Sequence, residues 1–219
     1  MCQITEGGAP MSVEEIRKAV IGMDMKGALD AVKRTVSEGM SLEEADLEGI
    51  DGAIAEAGRK YESGKLMFPQ FMNTVRAAYA VREELDIPRP DLGKAVVAAL
   101  DVHTEGRNTM ALFLGVAGFE TNIVEMGMME DDIVGFCKEP DVTVCCVSGE
   151  FASVSSKIKK IGDMLTEAGL RDRVVYNAGG MTVSEEAAER AGADVFSRSG
   201  AESVFLIKKK VLERKRGKA

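Results

Sequence analysis

Tryptophan is absent from the 219 residues, histidine occurs once, and aromatic side chains make up 5% of the chain. The core must therefore be built from aliphatic residues and from methionine, which occurs 13 times and serves either as adaptable filler or as the lining of a pocket for a large ligand. Cations are also in deficit: 28 Lys and Arg against 36 Asp and Glu give a net charge of -8. A general nucleic-acid binder needs a basic surplus to displace phosphate counterions, so the expected partner is a small molecule or another protein. No stretch approaches the roughly 20 apolar residues of a membrane span, and "MCQITEGGAP" lacks a basic region followed by an apolar run. No membrane association is expected, and the expected location is the cytoplasm. The four cysteines, Cys2, Cys137, Cys145 and Cys146, lack the paired spacing of a zinc site. Adjacent Cys145 and Cys146 would point to opposite faces of a strand, so small buried thiols in a reducing compartment are expected.

What is present divides in two. From Ser12 to about Asp86, apolar residues recur three and four apart and no strand signal appears. Ser12 with Glu15, and Ser41 with Glu44, fit capping boxes, while Gly39 and Gly64 stand where helices should end. This half reads as a bundle of four or five helices. "DIPRPDLGK", Asp86 to Lys94, breaks the pattern with two prolines and a glycine and is the expected linker, dividing a helical domain (1–88) from a second domain (89–219). Beyond it, strand-length apolar runs at 94–100, 121–127, 141–147, 173–177 and 193–197 alternate with helical segments near 107–118, 129–138, 153–169, 182–191 and 200–213. Five strands joined by helices imply a mainly parallel, doubly covered α/β sheet of the flavodoxin or Rossmann type.

In such a sheet ligands bind beyond the carboxyl ends of the strands. The loop after the first strand holds "DVHTEGRN", with the single histidine, His103. An exposed loop residue is one reading of it. The other rests on Asp101 two residues earlier: an aspartate that accepts the Nδ1 proton fixes the tautomer and leaves Nε2 free for a metal. One protein ligand holds a naked ion poorly, but suffices for a metal already seated in a macrocycle. Gly106 lets something bulky approach. The loop after the fourth strand carries "NAGGM", Asn177 to Met181, whose glycines suit either a tight turn or close ligand approach. No GxGxxG follows the first strand, which weighs against a nicotinamide or flavin protein.

"DxHxxG" after the first strand, with "GG" after the fourth, resembles the cobalamin-binding signature of the methionine synthase type. The resemblance extends to "GFE" (118–120), "EMG" (125–127), "GGMTVSEEAAERAGADVFS" (179–197) and the helical half, which is similar to the cap domain of small corrinoid proteins serving methyltransferases of methanogens and acetogens. It implies a cobalamin or related corrinoid cofactor with His103 as lower axial ligand of cobalt, Asp101 hydrogen-bonded to the imidazole, and a serine of the third loop completing a proton-linked triad. It places Gly106, Arg107 and Asn108 at the cofactor, and the nucleotide tail in a crevice lined by Val147 to Ser153, Gly179 and Gly180. Ser148 matches the family's serine if the register starts there, Cys146 if it starts earlier; Ser153 is the candidate nearer the Asp–His pair. Met67, Phe68, Phe71 and Met72 either cover the methyl-bearing face or are ordinary helix core.

The chain departs from the family pattern at Leu100 (usually glycine), Glu105 (usually apolar), Arg107 (usually lysine) and in "SGE" for "SxL". Two functions fit. One is a methyl carrier, inactive alone, that cycles between Co(I) and methyl-Co(III). Its partners would be a substrate:corrinoid methyltransferase, a methylcorrinoid:acceptor methyltransferase acting on a thiol or pterin, and a reductive activase, with the cap moving about "DIPRPDLGK". The other is a cobalamin-binding regulator or adaptor without methyl transfer. "KKKVLERKRGKA" reads as the solvated end of the last helix or as a docking site for an acidic partner.

Overall fold

The computed structural model describes residues 11–217; Cys2 and the last two residues of the basic tail lie outside the described residues. The chain forms two compact units, one ending at Arg89 and the other starting at Pro90.

The first unit is helical: α1 (Met11–Ile21), α2 (Met25–Ser37), α3 (Leu42–Glu44), a π-helical segment (Ala45–Asp51), α4 (Gly52–Glu62) and α5 (Phe68–Glu84). In α2 the buried residues Ala28, Ala31, Val32 and Thr35 recur at three and four, the spacing that turns one stripe of a helix inward. Asp24 caps α2 by accepting from the Gly27 amide at 2.9 Å, and Ser41 caps α3 by accepting from the Glu44 amide at 3.1 Å. Ser12, expected as a cap, is instead inside α1. Its supposed partner Glu15 pairs with Arg34 of α2, so the carboxylate serves helix packing rather than the helix start. Gly39 and Gly64 follow α2 and α4 with φ of 108° and 71°, where a side chain would be strained.

The π segment is braced from both sides. Arg17 of α1 donates through Nε to the Glu48 carbonyl at 2.8 Å, across Gly52. From α5, buried Arg82 donates to Asp46 at 2.6 Å and to Asp51 at 2.7 Å, one carboxylate at each end of the segment. Removing the cation takes the shared guanidinium away from two buried carboxylates. Arg82→Ala is expected to cost about 3–5 kcal/mol in urea unfolding; a loss below about 1 kcal/mol would show that the pair is dispensable.

The second unit is an α/β sheet with elements in the order β1 (Lys94–Ala99), α6 (Glu105–Ala117), β2 (Glu120–Ile123), α7 (Glu130–Cys137), β3 (Val142–Ser148), α8 (Val154–Glu167), β4 (Val175–Gly179), α9 (Glu185–Arg190) and α10 (Gly200–Arg216). All pairings are parallel and the spatial order is β2-β1-β3-β4. Alternation along the strands splits the core. Val96, Ala98, Cys145, Val147, Tyr176 and Ala178 face the layer of α7, α8 and α9. The other side chains of β1, β3 and β4 face α6 and α10, which pack on each other.

Two expectations need correction. The fifth strand is a single parallel bridge, Asn177 to Val195. The Tyr176 amide donates to the Asp194 carboxylate at 2.7 Å, so a side chain takes the place of a ladder carbonyl; Arg171 and Arg214 hold that carboxylate at 3.1 and 2.8 Å. The basic tail is not merely solvated: α10 runs to Arg216, Lys208 is buried, and Lys215 donates to the Asp91 carbonyl. Cys137, Cys145 and Cys146 are buried free thiols, and burial pushes the Cys146 thiol well up. Among the described residues no helix is long and apolar enough to cross a membrane.

Candidate functional site

The chain leaves β1 for β2 on one side and returns to β3 on the other, so the topological switch lies between β1 and β3. Ala99 pairs with Ser148 there, and the ladder's last bond runs from the Leu100 amide to the Ser148 carbonyl at 2.8 Å. Asp101 stands just beyond, its side chain 5% exposed. Oδ1 accepts from the His103 amide at 2.9 Å and lies 3.2 Å from His103 Nδ1, while Oδ2 accepts from the amides of Glu150 at 2.6 Å and Phe151 at 2.9 Å. Burial opposes the charged carboxylate, but the Phe151, His103 and Glu150 amides outweigh it and hold the pKa down to about 2. Asp101 is thus a fixed anion at neutral pH, and it presents His103 with Nδ1 engaged.

The imidazole stands edge-on to Phe151, centroids 4.9 Å apart at 87°, and its side chain is 34% exposed. Nε2 has no hydrogen bond among the described residues; the Glu150 carboxylate is 3.9 Å away. The loop closes this tightly because of two glycines. At Gly149 a Cβ would sit 2.5 Å from Val154 and 3.0 Å from the Asp101 carboxylate; at Gly180, φ is 124° and a Cβ would meet the Gly149 carbonyl at 1.9 Å. Gly179 differs, since a Cβ there would meet nothing within 4 Å. Gly106 presses the start of α6 onto β3, where a Cβ would lie 3.1 Å from Ser148 Oγ.

The other candidates sort by contact. Arg107 donates to the Val124 carbonyl at 2.9 Å and to exposed Asn108 Oδ1 at 3.1 and 3.2 Å, tying α6 to the end of β2 rather than reaching His103. Glu105 is exposed in the first turn of α6. Ser148 Oγ is buried without a partner, and exposed Ser153 stands at the N-cap of α8 with no capping bond. Neither hydroxyl bonds to Asp101 or His103, because the second carboxylate oxygen is spent on loop amides. Lys157, whose Nζ donates to the Leu100 carbonyl at 2.6 Å, escaped the sequence reading; Glu150 and Phe151, expected only within the crevice-lining loop, stand beside the imidazole, and Asn177, expected only within the loop after the fourth strand, has its Oδ1 buried without a partner. Asn177 had a legible signal, a polar residue inside an apolar strand.

Around this centre the loops after all four strands expose apolar side chains: Val102, Met126, Met129, Phe151 and Met181 are each at least half exposed. An apolar rim about a polar centre suits a large, mostly apolar ligand. No group of three or more His, Cys, Asp or Glu able to hold a metal occurs among the described residues, so His103 can offer one bond to a metal that brings its own remaining ligands.

Comparison with known proteins adds to this. Residues 12–85 match the family described as the B12 binding domain. Dimethylamine corrinoid protein 3 of Methanosarcina acetivorans is 27% identical over 207 residues, spanning 91% of this chain and 97% of the relative. Trimethylamine corrinoid protein 1 of the same organism is 24% identical over 210 residues, spanning 90% and 95%. Over nine-tenths of its length this chain is similar to these methylamine corrinoid proteins. The fold recurs in a cobalamin-binding protein from Desulfitobacterium hafniense DCB-2 (TM-score 0.61, 22% identity, 92% of this chain and 97% of the other). It recurs also in the methanol:cobalamin methyltransferase complex of Methanosarcina barkeri (TM-score 0.53, 18% identity, 94% and 84%).

The Asp101 carboxylate is the part of the site whose loss is easiest to read. Asp101→Ala leaves three amides without their acceptor, so hydrogen exchange at His103, Glu150 and Phe151 is expected to accelerate about tenfold or more while core strands keep their protection. Unchanged exchange at those three amides would show that the loop holds itself.

Proposed function

We propose that the chain is a corrinoid carrier of a methyltransferase system, with residues 1–88 as helical cap and residues 89–219 as the corrinoid-binding domain. The single observation that carries the reading is His103, oriented by Asp101 at the switch point with Nε2 unbonded, within a ring of exposed apolar loops. Homology to methylamine corrinoid proteins over nine-tenths of the chain supports the methyl-carrying role. The corrinoid, when bound, supplies a cobalt that accepts and surrenders a methyl group; the protein's part is to bind, orient and tune it.

His103 would hold the cobalt through Nε2, and Asp101 would fix its tautomer. Ser148, Gly179 and Gly180 would border the nucleotide tail, and Gly106, which lets the start of α6 approach Ser148, would keep that helix clear of the macrocycle. Arg107 and Asn108 would steady the start of α6 beside it, and exposed Ser153 would face the tail from the start of α8. The partners are a substrate:corrinoid methyltransferase, a methylcorrinoid:acceptor methyltransferase and a reductive activase, acting in the cytoplasm.

Reconstitution with hydroxocobalamin tests the site. The loaded protein is expected to show an imidazole-ligated visible spectrum that His103→Ala converts to a water-ligated one; an identical spectrum would sink the axial assignment. Methyl transfer tests the role. Reduced, loaded protein mixed with methylamine methyltransferases and their substrates is expected to become methylated at cobalt. Tight corrinoid binding with consistent failure of methylation would favour a regulator instead.

A further inference from the structure

The sheet is unfinished at one edge. Five paired positions join β4 to β3, but on its other side β4 has only the bridge from Asn177 to Val195. Beside that edge the segment 193–196 forms the floor of a groove of about 390 Å³ between α9 and α10, lined also by Ala188 of α9 and Leu206 of α10. Ala193, Phe196 and Leu206 are half-buried there. A sheet edge left open beside an apolar floor invites a covering chain.

The walls decide what covers it. Glu185 and Glu189 of α9 line one side, Lys209 and Lys210 of α10 the other. Glu185, Glu189 and Lys210 have no ion-pair partner among the described residues, whereas Asp194 in the floor is already matched by Arg171 and Arg214. Because the chain returns parallel to β4 at Val195, α9 and α10 both run against the strands and so share one direction. Read in that direction the walls are opposite in sign: Glu185, Glu189 and Arg190 along α9, Lys209, Lys210 and Glu213 along α10.

A groove with one acidic and one basic wall is complementary to itself. A two-fold axis along the edge, parallel to β4, sets the α9 wall of one copy against the α10 wall of the other and keeps each residue at its own level along the strand. Every contact then forms twice, as in any isologous interface. A different protein would have to carry the same alternation of sign, whereas a second copy carries it by construction.

We infer that the chain forms a two-fold dimer through this edge, α9 of each copy against α10 of the other, with the groove floor covered at the centre. Exposed ion pairs contribute little singly. Here the apolar floor supplies contact area and the reciprocal charges fix its register. The pairing also gives a role to Lys209 and Lys210 of the basic run "KKKVLERKRGKA" in an otherwise acidic chain.

Sedimentation velocity of the full chain without cofactor, over a concentration series, tests it. The wild type is expected to pass from monomer to dimer as concentration rises, and to dissociate as salt screens the walls. Glu185→Lys with Glu189→Lys makes both walls basic, and Lys209→Glu with Lys210→Glu makes both acidic. Each double variant is expected to self-associate about tenfold or more weakly, since like charges then face each other. Mixing the two is expected to restore a dimer with one copy of each, because the facing walls are again opposite. A wild type that stays monomeric throughout would overturn the inference and leave the groove to another protein. A dimer that survives both reversals, or a mixture that stays monomeric while both variants keep their helical circular dichroism, would overturn it too. The wild-type series stands whether or not a variant folds, and none of these outcomes touches the corrinoid reading.

Discussion

One carboxylate organises the switch point. Asp101 gathers the His103 amide, the His103 ring and the amides of Glu150 and Phe151, and so joins the loop after β1 to the loop after β3. A single buried anion surrounded by donors is held far more firmly than a surface ion pair, since those donors are backbone groups that pay no side-chain entropy to stay in place. The glycines follow from it. Gly149 must lack a side chain for the Asp101 carboxylate to approach, and Gly180 must lack one for the Gly149 backbone to be where it is. The "DVH" and "NAGG" motifs, 70-odd residues apart, are thus two halves of one packing problem.

The two units solve burial of charge differently. In the helical unit Arg82 neutralises Asp46 and Asp51 across the π segment, so the charges are internally matched. At the sheet's edge Asp194 replaces a fifth strand and is matched by Arg171 and Arg214. At the switch point Ser148 Oγ and Asn177 Oδ1 are buried without a hydrogen-bond partner, and His103 Nε2 lies 3.9 Å from the Glu150 carboxylate; Arg171 and Arg214 each keep one such nitrogen beside Asp194.

Much of this was legible in the sequence. Helix period, caps at Ser41, and the change of rhythm after "DIPRPDLGK" led to a helical half followed by a parallel α/β sheet, and the position of His103 after β1 follows from strand counting alone. What escaped depended on three-dimensional substitution of one group for another. The Asp194 carboxylate standing in for a strand carbonyl leaves no periodic trace, so 193–197 read as a full strand. Ser12 looked like a cap until Glu15 was taken by Arg34 from another helix. A serine was expected to complete the Asp–His relay, whereas the second oxygen of Asp101 is filled by backbone amides, which no residue pattern reveals. Glu150 was expected in the crevice-lining loop and as a departure from "SxL", but not beside the imidazole.

The central claim is that His103 Nε2 binds cobalt. Because histidine occurs once, labelling with [15N]histidine marks this imidazole alone. Electron paramagnetic resonance of the protein loaded with Co(II) cobalamin is expected to show a nitrogen splitting of three lines that becomes two on labelling. Three lines that persist in the labelled protein, or no nitrogen splitting at all, would contradict it.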